Sequence, residues 1–94
     1  MSDVVNKAVD ALNKKLGSFG STAKFVIDGE GSIIVDQNGA RAADEAAEVT
    51  LTASAETFEG ILDGSVNPTM AFMTGKLKID GSMGLAMQLG SALS

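Results

Sequence analysis

Cysteine, histidine, tyrosine and tryptophan are all missing from this chain of 94 residues. Without cysteine there is no disulfide framework, no zinc–thiolate site and no thiol nucleophile. Without histidine the commonest general base and metal ligand near neutral pH is gone. A serine nucleophile would need a lysine or carboxylate base. Nothing resembles Gly-x-Ser-x-Gly or Ser-x-x-Lys in the strand–turn–helix setting those motifs require. The expectation is a chain that is not an enzyme, with no catalytic residue, no cofactor and no metal.

Positive charge is also scarce: Lys plus Arg number 7 against 12 Asp plus Glu, for a net charge of −5. Such a surface repels phosphate backbones and anionic membrane surfaces at long range, so no nucleic-acid partner is expected. No segment approaches the roughly 18 consecutive apolar residues of a membrane span, and the N-terminus lacks a basic-then-apolar signal pattern. No stable membrane insertion is expected, and the location expected is cytoplasmic. The last residues, Ala92, Leu93 and Ser94, are not the Ser-Lys-Leu peroxisomal address. Aromatics make up 4% of the chain while hydrophobic residues make up 45%. The core must therefore be aliphatic, with Ala and Met, and correspondingly pliable. A single domain spanning residues 1–94 is expected, burying roughly 60–65% of the surface of its unfolded chain.

The pattern along the chain opens with a helix. Ser2 caps it, Asp3 and the Lys14–Lys15 pair suit its dipole, and Gly17 stops it. Val5, Ala8, Val9, Leu12 and Leu16 form its apolar stripe. Alternation from Ala23 to Asp28 reads as a strand, Asp28-Gly29-Glu30-Gly31 as a hairpin turn, and Ile33-Ile34-Val35 as the returning strand. A polar, Ala-rich loop is read from Asn38-Gly39 to Glu48, then a strand at Val49-Thr50-Leu51-Thr52. Ser54 and Glu56 open a second helix that presents Phe58, Ile61 and Leu62 and ends at Gly64. Asn67 and Pro68 start a short apolar helix. Lys76 to Asp80 alternates as a strand, and Gly81-Ser82 lead into a final helix.

Other short motifs carry no chemistry. Asp36-Gln37-Asn38-Gly39 has its glycine at the fourth position, not the sixth of a calcium loop, and reads as a solvated turn. Gly29-Glu30-Gly31 is hairpin chemistry, and Gly75-Lys76 lacks the flanking residues of a phosphate loop. Asp44, Glu45 and Glu48 have no apolar cover that would shift a carboxylate, so they read as solvated surface.

Four of the five methionines, Met70, Met73, Met83 and Met87, fall in the last quarter of the chain. Methionine is unbranched and polarisable and suits surfaces that meet changing shapes, whereas a fixed core favours Leu, Ile and Val. In the final helix Leu85, Ala86, Leu89 and Leu93 form the stripe that a sheet needs. Met83 and Met87 widen the apolar arc beyond it, toward a partner helix, a second subunit or a ligand.

The run from Asn67 to Met87, NPTMAFMTGKLKIDGSMGLAM, resembles without gaps the C-terminal signature of the sterol carrier protein-2 domain family. The upstream order of helix, three strands and a Ser-x-Glu-x-Phe helix is similar to that family as well. The resemblance implies an α+β fold: a mixed, mostly antiparallel five-stranded sheet covered by helices, with an apolar cavity or tunnel. It also implies non-enzymatic binding and transfer of a lipid ligand such as a fatty acid, fatty acyl-CoA or sterol. Four strands are read directly; the fifth would come from residues 40–48 or the segment near Ser18. The chain lacks most of the C-terminal extension of eukaryotic members, which points to a small stand-alone version with an open tunnel mouth. On this reading the wall comprises Phe25 and Ile27 of the sheet with Phe58, Ile61 and Leu62 of the second helix. Met70, Phe72 and Met73 of the third helix, with Leu77, Met83, Leu85 and Met87 beyond, complete it. Lys76 and Lys78 read as solvated strand lysines, or as contacts for a charged headgroup near the opening. A monomer is expected; the alternative is a protein-interaction or homodimerisation module that uses the Met-rich C-terminal surface.

Overall fold

The computed structural model describes residues 3–93; the cap read at Ser2 lies outside them. Helix α1 (Asp3–Lys15) buries Val5, Ala8 and Leu12 and keeps Asp3 in its first turn and Lys14 and Lys15 in its last, as the helix dipole favours. Strands β1 (Ala23–Ile27) and β2 (Gly31–Asp36) pair antiparallel, with Ala23 opposite Val35 and Ile27 opposite Gly31.

The segment read as a loop from Asn38 begins instead with a strand, β3 (Gly39–Ala42), antiparallel to β2 with Asp36 opposite Gly39. Its sequence, Gly-Ala-Arg-Ala, carries no β-branched or aromatic residue, and the strand is held by a partner outside the sheet. Asn13 of α1 accepts the Ala40 N–H through Oδ1 at 2.8 Å and donates through Nδ2 to the Ala40 carbonyl at 3.1 Å. One side-chain amide thus satisfies both backbone groups of an edge residue that the ladder leaves unpaired. Gly39 has φ 101, and a Cβ there would crowd Asn13 Oδ1 at 2.7 Å, so this contact demands glycine.

Residues 43–48 then run across the sheet face opposite α1. Ala43 N–H donates to the Ser32 carbonyl, Lys24 Nζ meets Asp44 Oδ1 at 3.0 Å, and Arg41 bridges Asp36 at 2.8 Å and Glu45 at 3.2 Å. Ile34 is buried on this opposite face, although Ile33 and Val35 on either side of it belong to the core beneath the helices. Strand β4 (Val49–Ala53) enters beside β1 in parallel, with Ala23 opposite Val49, and β5 (Leu77–Gly81) closes the sheet antiparallel to β4. The order is β3-β2-β1-β4-β5, a five-stranded open sheet with one parallel pair.

Three further helices, α2 (Ala55–Asp63), α3 (Pro68–Met73) and α4 (Met83–Leu93), join α1 over the apolar sheet face. Helix α1 packs on β2, β3 and α2, while α4 packs on β4 and β5 with α3 beside it. The core between the layers is aliphatic apart from Phe25 and Phe58.

Candidate functional site

The apolar side of the sheet is not filled uniformly. Phe25 of β1, Leu51 of β4 and Leu77 and Ile79 of β5 form the floor of a groove, and Phe58 and Ile61 of α2 close one end. The Phe25 and Phe58 rings meet edge to face, with centroids 5.6 Å apart at 71°, a geometry that fixes both. Phe58 is positioned by the ends of α2. Ser54 accepts the Thr57 N–H at 3.2 Å at its start, and Gly64 takes a left-handed φ of 87 at its stop.

Helix α3 makes one wall. Asn67 caps it by accepting the Met70 N–H at 3.1 Å and Pro68 occupies its first turn, which lays Pro68, Thr69, Phe72 and Met73 along the groove. Helix α4 makes the other wall with Met83, Ala86, Met87, Gly90 and Leu93. Its start is set by Ser82, whose Oγ accepts the Leu85 N–H at 3.3 Å, and by Gly81, where a side chain would run into the Glu48 carbonyl oxygen. Ala86 and Gly90 stand one turn apart, and their missing side-chain volume is the space between the walls.

The groove holds about 290 Å³ and is partly open to solvent. Thr69 is the single polar side chain in its lining, and none is charged. Its rim carries Phe72, 40% exposed, Met83, 45%, and Met73 and Met87, each 72%. A shallower depression continues past Phe72 over β5, where Gly75, Lys78 and Asp80 border it.

Of the residues proposed from the sequence, Phe25, Phe58, Ile61, Phe72, Met73, Leu77, Met83 and Met87 are brought together around this groove. Ile27, Leu62, Met70 and Leu85 are not. Ile27 is buried in the main core, Leu62 and Leu85 pack half-buried against it, and Met70 stands 56% exposed on the outer side of α3. Sequence reasoning did not find Leu51, Pro68, Thr69, Ile79, Ala86, Gly90 or Leu93. The alternation of Leu51 and Ile79 with polar neighbours was the available signal for the floor. Ala86 and Gly90 gave none, because small residues on a helix read as packing.

The charged groups lie elsewhere. A hydrogen bond from Arg41 and another from the Asn38 N–H hold the Asp36 carboxyl below its ordinary value, as expected of a turn aspartate in an ion pair. Asp44 and Glu45 are engaged by Lys24 and Arg41. Among the described residues no His, Cys, Asp and Glu cluster could hold a metal ion, and no helix is long and apolar enough to cross a membrane. What this arrangement can do is take an apolar body out of water.

Residues 4–94 match the model of the SCP-2 sterol transfer family. The chain belongs to that family. Among its relatives, the sterol carrier protein 2 of Rattus norvegicus is 39% identical over 84 residues, which are 86% of this chain and 14% of the rat protein. Peroxisomal multifunctional enzyme A of Dictyostelium discoideum is 40% identical over 85 residues, 87% of this chain and 18% of that protein. The chain thus spans less than a fifth of either relative. The SCP-2 fold is equally plain in three dimensions. The Aedes aegypti sterol carrier protein-2 in complex with the C16 fatty acid palmitate superposes with a TM-score of 0.81 at 22% identity, covering 100% of this chain and 97% of that one. Sterol carrier protein 2 like 2 of the same mosquito gives 0.79 at 20% identity, with 94% of each chain covered.

Proposed function

We propose that this chain is a non-enzymatic lipid carrier, a single SCP-2 domain that takes up one apolar ligand between α3, α4 and the sheet and hands it on. The observation that carries this reading is the groove itself: about 290 Å³ walled by aliphatic, aromatic and methionine side chains, with Thr69 the one polar contact. Binding follows from desolvation at about 0.8 kcal/mol per buried methylene, so ten methylenes contribute several kcal/mol after the cost of ordering the ligand. Fatty acids, fatty acyl-CoA and sterols are the candidate classes, and the palmitate complex of the Aedes aegypti protein supports the first. The size of the groove, near the lower end of the roughly 300–1,000 Å³ typical of small-molecule sites, favours a single acyl chain over a fused ring system. A carboxylate or phosphate headgroup leaving past Phe72 would find Lys78 in the depression over β5. The setting proposed is the cytoplasm, where a fold that uses no cysteine has nothing to lose to a reducing environment.

Native mass spectrometry of gently purified protein should show a monomer carrying one lipid. In a displacement assay with a fluorescent fatty acid, Met87→Lys should weaken binding about tenfold or more, because a charge would stand in the apolar wall, while stability changes by no more than about 0.5 kcal/mol at so exposed a position. A folded Met87→Lys protein that binds as tightly as the native chain would refute the assignment.

A further inference from the structure

The fold keeps its sulfur out of its core. Among the described residues no buried hydrophobic is a methionine: Met70, Met73, Met83 and Met87 are all exposed, Met73 and Met87 at 72%. Met73, Met83 and Met87 line the groove, and Met70 stands outside it. Cysteine, histidine, tyrosine and tryptophan are absent from the chain. A mild oxidant therefore finds its reactive side chains, among the described residues, on α3 and α4 and nowhere else.

We propose that Met73 and Met87 are reversible oxidation sites, whose conversion to the sulfoxide by a peroxide turns the groove from holding a lipid to releasing it. The proposal rests on the carrier reading and adds a control on it. In the step, a sulfur lone pair takes one oxygen of hydrogen peroxide: the O–O bond breaks and an S–O bond forms. The proton on the transferred oxygen passes to the departing hydroxide, which leaves as water; sulfur is oxidised by two electrons and the peroxide is reduced by the same two. The product is a polar group in a wall where Thr69 is the single polar side chain. A sulfoxide oxygen accepts hydrogen bonds that an acyl chain cannot donate, so a seated ligand must desolvate it or give up the contact. The core keeps its packing, because it contains no thioether to oxidise. Methionine sulfoxide reductases undo the change, so a released state can be loaded again. Met70 is an internal control: it shares α3 with Met73 and is 56% exposed, yet it does not line the groove.

The test treats the purified chain with hydrogen peroxide, removes the peroxide, locates each sulfoxide by peptide mass spectrometry and titrates a fluorescent fatty acid. Sulfoxide at Met73 and Met87 should weaken binding about tenfold with an unchanged circular dichroism spectrum, and treatment with sulfoxide reductases of both epimer specificities should restore it. Loading the chain beforehand with a saturated C16 fatty acid, which peroxide does not attack, should slow oxidation of Met73 and Met87 and leave the rate at Met70 unchanged. The double variant Met73→Leu with Met87→Leu should bind equally well before and after peroxide, whereas Met70→Leu should lose affinity on oxidation as the native chain does. A folded chain with both sulfoxides that binds as tightly as the unoxidised one overturns the proposal. So does affinity lost only together with the circular dichroism spectrum, or a loss that persists in the double variant or vanishes in Met70→Leu. If the double variant binds too weakly to compare, ligand protection in the native chain decides: no slowing at Met73 and Met87, or equal slowing at Met70, overturns the proposal. An unoxidised chain that binds no fatty acid sinks the carrier reading and this proposal with it; intact binding that oxidation leaves unchanged sinks this proposal alone.

Discussion

The two ends of the helix-covered sheet face are built from different residues. Over β2 and β3, α1 contributes Val5, Ala8 and Leu12 to the same core as Ile33 and Val35, and every one of these is at most 5% exposed. Over β4 and β5, α3 and α4 contribute methionines, Ala86 and Gly90, and the space between them stays open. Branched side chains with few rotamers fill their end solidly. Small residues at Ala86 and Gly90, flanked by flexible thioethers, withhold volume where a solid core would place leucine. No added element makes the site; a choice of side chains within one layer does.

The largest way to break this contrast is at the closed end. Leu12→Ala, in a residue 2% exposed, should cost about 3 kcal/mol in chemical denaturation and leave fatty-acid affinity per folded molecule unchanged. A loss of affinity in the folded fraction would mean that the two ends are mechanically coupled. Filling the open end should have the opposite signature. A Cβ built on Gly90 meets Pro68 at an ordinary 3.8 Å, so Gly90→Leu has room for its first carbon and extends into the groove. It should weaken ligand binding about tenfold while stability holds or rises by about 0.5 kcal/mol, from replacing a mid-helix glycine. A steep fall in melting temperature would show that the space is not there. The smallest effect is on pH. Arg41 and the Asn38 N–H depress the Asp36 carboxyl, so its stabilisation is complete above the ordinary value of 3.8 and is lost as pH falls through the lower folded value. Acid titration of the melting temperature should therefore be shallower in Asp36→Asn, while binding of an uncharged lipid stays constant over the folded range, because no titratable group lines the groove.

The sequence was most legible where local chemistry decides structure. Ser54, Asn67, Pro68, Gly64 and Gly17 mark helix ends through their own backbone and capping preferences, and the alternation at Ala23–Ile27 and Leu77–Asp80 needs only a covered face. Strand β3 was legible only as one of two candidate stretches for a fifth strand, because Gly39-Ala40-Arg41-Ala42 has no strand propensity of its own and borrows its order from β2 and from Asn13, distant in the chain. The groove was half legible. Methionine clustering and the family signature pointed to Phe72, Met73, Met83 and Met87, but a void is defined by what is absent. Ala86, Gly90 and the floor residues Leu51 and Ile79 became part of it only once two helices were placed over the sheet. Met70 shows the converse: helical spacing groups it with Met73, and the fold turns it away from the groove.

The single parallel pairing, Ala23 beside Val49, has a kinetic corollary. Strands β1, β2 and β3 follow one another through tight turns and can zip up locally, but β4 reaches β1 only after two strands and the strap have been traversed. Closing that long-range contact bears the larger loop entropy, and α3, β5 and α4 depend on it. The meander with α1 should therefore hold the slowest-exchanging amides. The methionine-bearing end should open first, as a sub-global unit whose excursions set how quickly a guest molecule leaves.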